Sequence, residues 1–261
     1  MLFHNLIYLF LFLPSIFIIY FLLRKFSNND GKILLIFSGL IFYGWWNIKF
    51  IPLIIFSVLF NYFLSKKIAI TEEKNKKKII LLSGIFCNVI YLGIFKYTDF
   101  VIENLNYFFE LNIETFNLSF PLAMSFFTFQ TIAFLVDCYD GEIKNHSLKE
   151  YSLFIIFFPQ LIAGPIVKFN NMMPQFNTNE NKSINLNNIL LGLIIILIGL
   201  FKKVIIADNL SINVDLGFEN YTQINFIESW ITSISYTFQL YFDFSGYIDM
   251  ATGSVLLFNI L

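Results

Sequence analysis

Residues 236–251 read Tyr236-Thr-Phe-Gln-Leu-Tyr-Phe-Asp-Phe-Ser-Gly-Tyr-Ile-Asp-Met-Ala251, a run of aromatic residues interrupted by the polar side chains of Gln239, Asp243 and Asp249. An ionised carboxylate at the centre of a bilayer costs roughly 3 kcal/mol or more, so such groups are rare there unless protein buries and uses them. The stretch therefore predicts a chain that is embedded in a membrane and contains a polar site or passage.

The composition of the whole chain also favours a membrane protein. The 261 residues are 57% hydrophobic and 13% charged, whereas soluble domains have roughly 25% charged residues. The apolar runs are longer than the ~10-residue alternating strands of outer-membrane barrels. We therefore expect an all-α fold: a polytopic transmembrane helical bundle that forms a single integral membrane domain over residues 1–261. The net charge of −1 gives no reason to expect a nucleic-acid partner.

The basic residues indicate which loops face the cytoplasm. Arg24 and Lys25 follow the first apolar run, Leu6–Leu23, and a lysine-rich segment extends from Lys66 to Lys78. Because cytoplasmic loops carry an excess of Lys and Arg, we expect a multi-pass protein of the cytoplasmic (inner) membrane with its N-terminus outside. Together with the later apolar runs, this pattern predicts roughly eight or nine membrane segments.

One apolar stretch, Tyr151–Val167, contains several helix-breaking residues. Pro159, Gly164 and Pro165 interrupt it, which predicts a broken or re-entrant helix whose freed backbone groups are covered by protein or line a cavity. The alternative is a simple kink packed against neighbouring helices.

Two further boundaries follow from polar residues. The segment Thr98–Asn117 contains four acidic and no basic residues and is expected to be an outside loop. Ser245-Gly246 is expected to break the last helical region, separating Phe226–Phe242 from Tyr247–Leu261.

The polar and helix-breaking residues inside the apolar segments are the candidate site residues. They are Gln130, Asp137, Gln160, Gly164, Pro165, Asp243, Ser245 and Asp249. The alternative for these residues is a structural role in hydrogen bonds between helices. Asp243 and Asp249 are six residues apart and do not share one helical face directly, so we expect each to pair separately with a cation, a hydroxyl or a helix terminus.

Lys202 and Lys203 are candidates for contacting an anionic cofactor or lipid phosphate at the cytoplasmic face. The alternative is that they anchor the helix at the membrane surface, with their ammonium groups reaching into water.

Histidine and cysteine residues offer no motif with catalytic or metal-binding spacing. His4 and His146 are expected to be ordinary surface or interface residues, and no metal site is expected. Cys87 and Cys138 fit small residues in apolar surroundings and indicate neither a disulfide framework nor a zinc site.

Four sequence blocks occur in order along the chain. They are Pro121-Leu-Ala-Met-Ser-Phe-Phe-Thr-Phe-Gln130, Phe158-Pro-Gln-Leu-Ile-Ala-Gly-Pro165, Gly199-Leu-Phe-Lys-Lys203 with Ala207-Asp-Asn209, and Tyr241-Phe-Asp-Phe-Ser-Gly-Tyr247 with Asp249-Met-Ala251. Together the blocks resemble the membrane-bound O-acyltransferase family, in particular its bacterial alginate O-acetyltransferase branch. The resemblance extends over essentially the whole chain.

The resemblance implies an enzyme whose helices surround a central funnel or tunnel, which the candidate site residues would line or brace. The acyl donor would be acetyl-CoA or another acetyl thioester, with no bound cofactor. The acceptor would be an exported polysaccharide, reached through an extracytoplasmic acetyltransferase partner protein. The histidine that the family uses as a general base follows the Asp-Phe-Ser-Gly-Tyr block and is expected beyond Leu261. We therefore expect this chain to be the N-terminal part of such an enzyme, to contain no catalytic residue and to be inactive alone.

The sequence is also compatible with two other functional interpretations. Broken helices and intramembrane carboxylates also suit a transporter or flippase subunit, although no paired repeat halves are visible. The chain could also be a non-catalytic remnant of such an enzyme.

Overall fold

The computed structural model describes residues 2–162, 164, 167–178 and 180–260. These residues form helices joined by short connections, and no strand occurs among them. Backbone contacts divide the chain into two compact units. The first unit contains Met1–Leu34, Ala163–Pro165 and Pro174–Leu261, and the second contains Leu35–Ile162 and Ile166–Met173. The helical prediction is confirmed, while a single domain over residues 1–261 stays a prediction.

The helices differ widely in length. In chain order they are a π-helical turn at Tyr8–Phe12, α1 (Leu13–Phe26), α2 (Asn28–Gly44), a 3₁₀ turn at Ile48–Phe50, α3 (Ile51–Ile70), α4 (Lys74–Phe109), α5 (Met124–Asp140), α6 (Leu148–Ile156), α7 (Phe158–Leu161), α8 (Phe169–Met172), 3₁₀ turns at Met173–Asn177 and Glu180–Lys182, α9 (Leu186–Leu200), a π-helical segment at Phe201–Ala207, α10 (Asp208–Glu219) and α11 (Phe226–Leu257).

Four helical stretches in the described residues are long and apolar enough to cross a membrane. They are Tyr8–Phe26, Ile48–Ile70, Lys74–Phe109 and Leu186–Glu219. The sequence predicted roughly eight or nine segments from apolar runs alone. The difference arises because several of those runs form shorter helices, and because polar residues lower the mean hydropathy of α11.

Two predicted boundaries are wrong. The expected outside loop at Thr98–Asn117 is largely helical, because α4 continues to Phe109 and measures 36 residues. Ser245-Gly246 does not break the last helix either, since α11 runs without interruption from Phe226 to Leu257. An Asn225–Glu228 capping box, in which each side chain bonds the backbone N–H of the other residue, fixes the start of α11.

The first unit is organised around the antiparallel contact between α9 and α11. A Cβ atom placed on Gly199 would lie 2.6 Å from the carbonyl oxygen of Gly246. A Cβ placed on Gly192 would lie 2.8 Å from the carbonyl oxygen of Gly253. Both pairs therefore bring backbone against backbone, as small residues do where membrane helices pack closely. Gly246 is thus a packing residue rather than a helix breaker.

The N-terminal residues of the first unit pack on the C-terminal half of α11. The Tyr8 hydroxyl donates to Ser254 Oγ at 2.8 Å, and the ring of Tyr20 meets that of Phe258 edge to face. Arg24 is almost completely buried and donates to the carbonyl oxygen of Phe176 at 2.7 Å. This guanidinium is therefore not a surface charge of a loop.

The second unit contains a helix break at the predicted place. Helix α6 ends at Ile156, and Phe157 adopts ψ 108° before Pro159 enters the first turn of α7. Proline has no N–H to continue the hydrogen-bond ladder, so carbonyl groups at the end of α6 are freed. A Cβ on Gly39 of α2 would collide with the carbonyl oxygen of Ile156, so α2 approaches the break by its backbone. The prediction of a broken helix within Tyr151–Val167 is confirmed for the described residues.

A reciprocal amide pair joins α3 and α4 in the same unit. Asn61 Nδ2 donates to Asn88 Oδ1 at 3.1 Å, and Asn88 Nδ2 donates to Asn61 Oδ1 at 2.7 Å. Both side chains are buried. Neither residue is among the predicted site residues, although one asparagine in each of two successive apolar segments is a pattern that interhelical hydrogen bonds produce.

We expect Gly199→Ala to lower the free energy of unfolding by about 1–3 kcal/mol, because the added methyl group must displace the backbone of α11. The measurement is equilibrium unfolding of the purified protein in mixed micelles. Gly93→Ala is the matched control, since a Cβ on Gly93 meets nothing within 4 Å, and it should stabilise α4 by about 0.5–1 kcal/mol. Equal effects of the two substitutions would refute the close contact.

Candidate functional site

A π-helical segment lies in the first unit at Phe201–Ala207, in addition to the turn at Tyr8–Phe12. It continues α9 and ends where the N–H of Asp208 bonds the carbonyl oxygen of Lys203, five residues back. Short π-helical segments are rare and are often found at functional sites. This one carries Lys202 and Lys203, and it begins two residues after Gly199, where α9 touches α11.

Lys202 is bound by two residues of α11. Its Nζ donates to Asp249 Oδ2 at 2.6 Å and to Ser245 Oγ at 2.9 Å. Ser245 and Asp249 are one helical turn apart and therefore lie on the same face of α11. The side chains of Lys202 and Asp249 are each 26% exposed, so the ion pair is largely withdrawn from the surroundings of the protein.

Lys203 bridges two carboxylates. Its Nζ lies 2.8 Å from Asp243 Oδ1 and 2.9 Å from Asp208 Oδ1. The expectation that Asp243 and Asp249 pair separately with cations is confirmed, because each carboxylate binds a different lysine. We call the set Lys202, Lys203, Asp243, Ser245 and Asp249 the charged cluster.

His4 lies near the charged cluster rather than apart from it. Burial is the main cause that lowers the pKa of His4 below its usual 6.5, and the Lys203 ammonium lowers it further, whereas the carboxylates of Asp208 and Asp243 raise it. His4 is half-buried. No residue spacing in the sequence signals this proximity, since His4 is far from both carboxylates along the chain.

The charged cluster can compensate charge without an external ion. Each lysine already has a carboxylate partner within hydrogen-bond distance, and removing one partner of such a pair leaves the other charge uncompensated. An anion contact of Lys202 and Lys203 with a cofactor or lipid therefore stays a prediction, and an incoming anion would compete with Asp243 and Asp249. In the described residues, no three His, Cys, Asp or Glu side chains converge as metal ligands.

In the second unit, Gln130 compensates the break between α6 and α7. Its Nε2 donates to the carbonyl oxygen of Phe154 at 3.1 Å. In a continuous helix that carbonyl would accept from the N–H of residue 158, but the chain turns at Phe157. A side chain of α5 thus bonds a carbonyl group near the end of α6.

The remaining candidates occupy different places. Gln160 is 9% exposed, and its Oε1 has no hydrogen-bond partner in the part of the chain that the structure describes. Asp137 lies in the last turn of α5, where its carbonyl oxygen accepts from the N–H groups of the following turn. Gly164 belongs to the first unit, and Pro165 lies outside the described residues. The structure thus brings Asp243, Ser245 and Asp249 together, and a shared acyl path for all the candidates stays a prediction.

His146 is buried, and its prediction as a surface or interface residue is wrong. Only 5% of it is exposed. The rings of Tyr62, Phe134, Tyr151 and Phe169 surround its imidazole edge to face, with centroid distances between 5.1 and 6.4 Å. The neighbouring Ser147 and Glu150 form a capping box that starts α6, and this fixed turn holds His146 among the aromatic rings.

The single polar contact of the His146 ring in the described residues is with Ser65. Ser65 Oγ donates to the carbonyl oxygen of Tyr62 at 2.8 Å, so His146 Nε2 carries the proton that bonds Ser65 Oγ at 2.8 Å. His146 Nδ1 has no partner there. Burial, reinforced by the Lys66 ammonium, lowers the pKa of His146 from 6.5 to about 4.

We expect His146 to make folding stability depend on pH. The folded protein holds the imidazole neutral down to about pH 4, while the unfolded chain protonates near pH 6.5. The contribution of neutral His146 to the free energy of unfolding is therefore fully present above pH 6.5, and it is lost as the pH falls from 6.5 towards 4. Equilibrium unfolding should be measured at several pH values. Between pH 6.5 and 5, the free energy of unfolding of His146→Phe should change less with pH than that of the wild type. Ser65→Ala, which keeps the buried imidazole, should retain the pH dependence of the wild type, and an unchanged pH dependence in His146→Phe would contradict the assignment.

Comparison with known proteins agrees with the four sequence blocks. Residues 139–261 match the family model of the membrane-bound O-acyltransferase family. A peptidoglycan O-acetyltransferase of Helicobacter pylori is 45% identical over 100% of this chain and 54% of its own length. A probable alginate O-acetylase of Pseudomonas putida is 35% identical over 97% of this chain and 52% of its own length.

A more distant relative has a different acyl group in its name. A teichoic acid D-alanyltransferase of Bacillus subtilis is 26% identical over 52% of this chain and 35% of its own length. The chain spans about half the length of the O-acetyltransferase relatives described above. The family match includes the π-helical segment and the whole of α11, and thus every residue of the charged cluster. The chain belongs to the membrane-bound O-acyltransferase family.

Proposed function

We propose that this chain is the N-terminal part of a membrane-bound O-acetyltransferase that modifies an exported glycan. The observation that carries the proposal is the similarity over the entire chain to a protein named as a peptidoglycan O-acetyltransferase. On this proposal the protein lies in the cytoplasmic membrane with its N-terminus outside.

The proposed acceptor is the glycan of peptidoglycan. Identity to the peptidoglycan O-acetyltransferase is 45%, against 35% to the alginate O-acetylase of Pseudomonas putida. An alginate-like exported polysaccharide, the acceptor implied by the sequence blocks, is the second candidate. The two are distinguished by which polymer carries the acetyl ester.

The proposed reaction is the transfer of an acetyl group from a thioester, such as acetyl-CoA, to a hydroxyl group. The acceptor oxygen bonds the carbonyl carbon while the hydroxyl proton passes to a general base. The carbon–sulfur bond then breaks, and the thiolate leaves and takes the proton from the base to become the thiol. A partner protein outside the membrane would complete delivery to the glycan. The family resemblance implies a histidine beyond Leu261 as the base, so this chain contributes positioning residues.

We assign the charged cluster the role of holding the π-helical segment against α11. Asp249 fixes Lys202, and Asp243 fixes Lys203, at distances of 2.6 and 2.8 Å. Burial of the acyl path requires that the charges beside it stay paired, because an unpaired ion in a low-dielectric setting attracts water or changes its protonation. Loss of Asp249 would therefore disturb the path without removing a catalytic group, whereas loss of Asp243 would leave Lys203 paired with Asp208.

The test uses the protein that contains this chain, expressed in a strain whose own gene for it is deleted. Asp249→Asn is expected to lower glycan O-acetylation at least about tenfold, which corresponds to ~1.4 kcal/mol. Asp243→Asn is expected to lower it less, because Asp208 Oδ1 still lies 2.9 Å from Lys203 Nζ. The measurement is base-released acetate from purified peptidoglycan and from exported polysaccharide. Glu142→Gln is the control, since Glu142 forms an exposed ion pair with Lys168, and such pairs contribute about 0–1 kcal/mol.

Two results would overturn the proposal in different ways. Normal acetylation by both aspartate variants would remove the positioning role of the charged cluster. Inside-out vesicles that take up solute but transfer no label from acetyl thioester to an acceptor would favour a transporter and reject the enzyme.

A further inference from the structure

A cavity of about 380 Å³ lies in the second unit, where α3 ends, α4 begins and the loop after α5 passes. Its volume is within the ~300–1,000 Å³ range of ligand pockets. Lysines from three separate segments line it: Lys66 of α3, Lys77 of α4 and Lys144 of the loop. Its lining residues, all of which the structure describes, include Asn145 and no carboxylate.

Two of the three cavity lysines are less exposed than the other lysines of the same region, and Lys144 is exposed. Lys66 and Lys77 are half-buried, whereas Lys67, Lys74 and Lys78 are exposed. The exposed lysines are explained by the preference of basic residues for the cytoplasmic membrane surface. That preference does not explain why ammonium groups from three segments converge on one cavity.

Aromatic rings hold two of these lysines in place. The Lys66 ammonium lies 5.7 Å from the ring centre of Tyr62, and the Lys77 ammonium lies 5.3 Å from that of Tyr139. Lys77 Nζ also donates to the carbonyl oxygen of Tyr139 at 2.6 Å. These contacts fix the positions of the ammonium groups but leave their charge uncompensated. Among the ion pairs of the described residues, none involves Lys66, Lys77 or Lys144.

Several nearby acidic residues either form ion pairs with other lysines or do not line the cavity. Glu73 pairs with Lys76 and Glu142 pairs with Lys168. Asp137 and Asp140 lie at the C-terminal end of α5, and neither lines the cavity. The lysines in the first turn of α4 lie at the positive end of the helix dipole, where cations are unfavourable and anions are favoured. That turn contains no acidic residue to offset their charge.

We infer that this cavity binds a phosphate group, with Lys66, Lys77 and Lys144 as its ligands. The phosphate belongs either to the headgroup of an anionic lipid or to a soluble phosphate compound such as a nucleotide. Phosphate oxygens accept hydrogen bonds from several ammonium groups at once, and three converging lysines without carboxylate partners provide such donors. The inference rests on the second unit alone and does not depend on the proposed function.

The test measures binding of two phosphate probes to the purified, delipidated protein by native mass spectrometry. The probes are phosphatidylglycerol and coenzyme A, titrated separately. Whichever of the two probes the wild type binds, the triple variant Lys66→Gln/Lys77→Gln/Lys144→Gln should bind it at least about tenfold more weakly. The matched control Lys67→Gln/Lys74→Gln/Lys78→Gln removes the same charge from exposed positions and should bind within about twofold of the wild type.

Each outcome has a defined meaning. Binding of phosphatidylglycerol that the cavity triple alone weakens supports a lipid site, and the same result with coenzyme A supports a site for a soluble phosphate compound. Equal weakening by both triple variants would show that only the overall positive field attracts the probes, and would overturn the inference. Failure of the wild type to bind either probe would also overturn it.

Discussion

Backbone contact between α9 and α11 is the constraint on which the first unit depends. Gly192 faces Gly253, and Gly199 faces Gly246, so the two helices approach more closely than any side chain with a Cβ allows. In a bilayer there is little hydrophobic gain from bringing apolar helices together, so close packing and polar contacts must supply the association. The glycine pairs provide the close packing, and the charged cluster provides the polar contacts.

The charged cluster is possible only because of that close approach. Gly246 lies against the backbone N–H of Lys203 and the Cβ of Lys202, and this contact sets the register between the π-helical segment and α11. With that register, Lys202 reaches Asp249 and Lys203 reaches Asp243 at hydrogen-bond distance. The carboxylates that first marked residues 236–251 as unusual are thus compensated within the chain, which is how a membrane-embedded protein tolerates them.

The sequence predicted the properties that depend on local chemistry. The break near Phe157 was predicted because Pro159 cannot continue a helix. The separate pairing of Asp243 and Asp249 followed from their six-residue spacing and from the cost of an unpaired charge in a membrane. The helical character of the chain followed from composition and from the length of the apolar runs.

The features that the sequence missed depend on distant partners. Ser245-Gly246 was expected to break α11, because glycine in a helix is locally unfavourable. Contact of Gly246 with Gly199 offsets that cost. A single sequence does not reveal that two residues so far apart along the chain lie in contact. His146 was expected at the surface because it lies in a polar loop, but its burial depends on the aromatic residues of α3, α5 and α6 that converge on it.

The most direct test of this account is a double-mutant cycle on Lys202 and Asp249, with unfolding of the purified protein measured for Lys202→Met, Asp249→Asn and the double variant. If the glycine contacts hold Lys202 on Asp249, the double variant should lose less stability than the sum of the single variants, with a coupling free energy of at least about 1 kcal/mol. Additivity of the two substitutions within about 0.5 kcal/mol would mean that the two side chains do not interact. That result would contradict the register between the π-helical segment and α11.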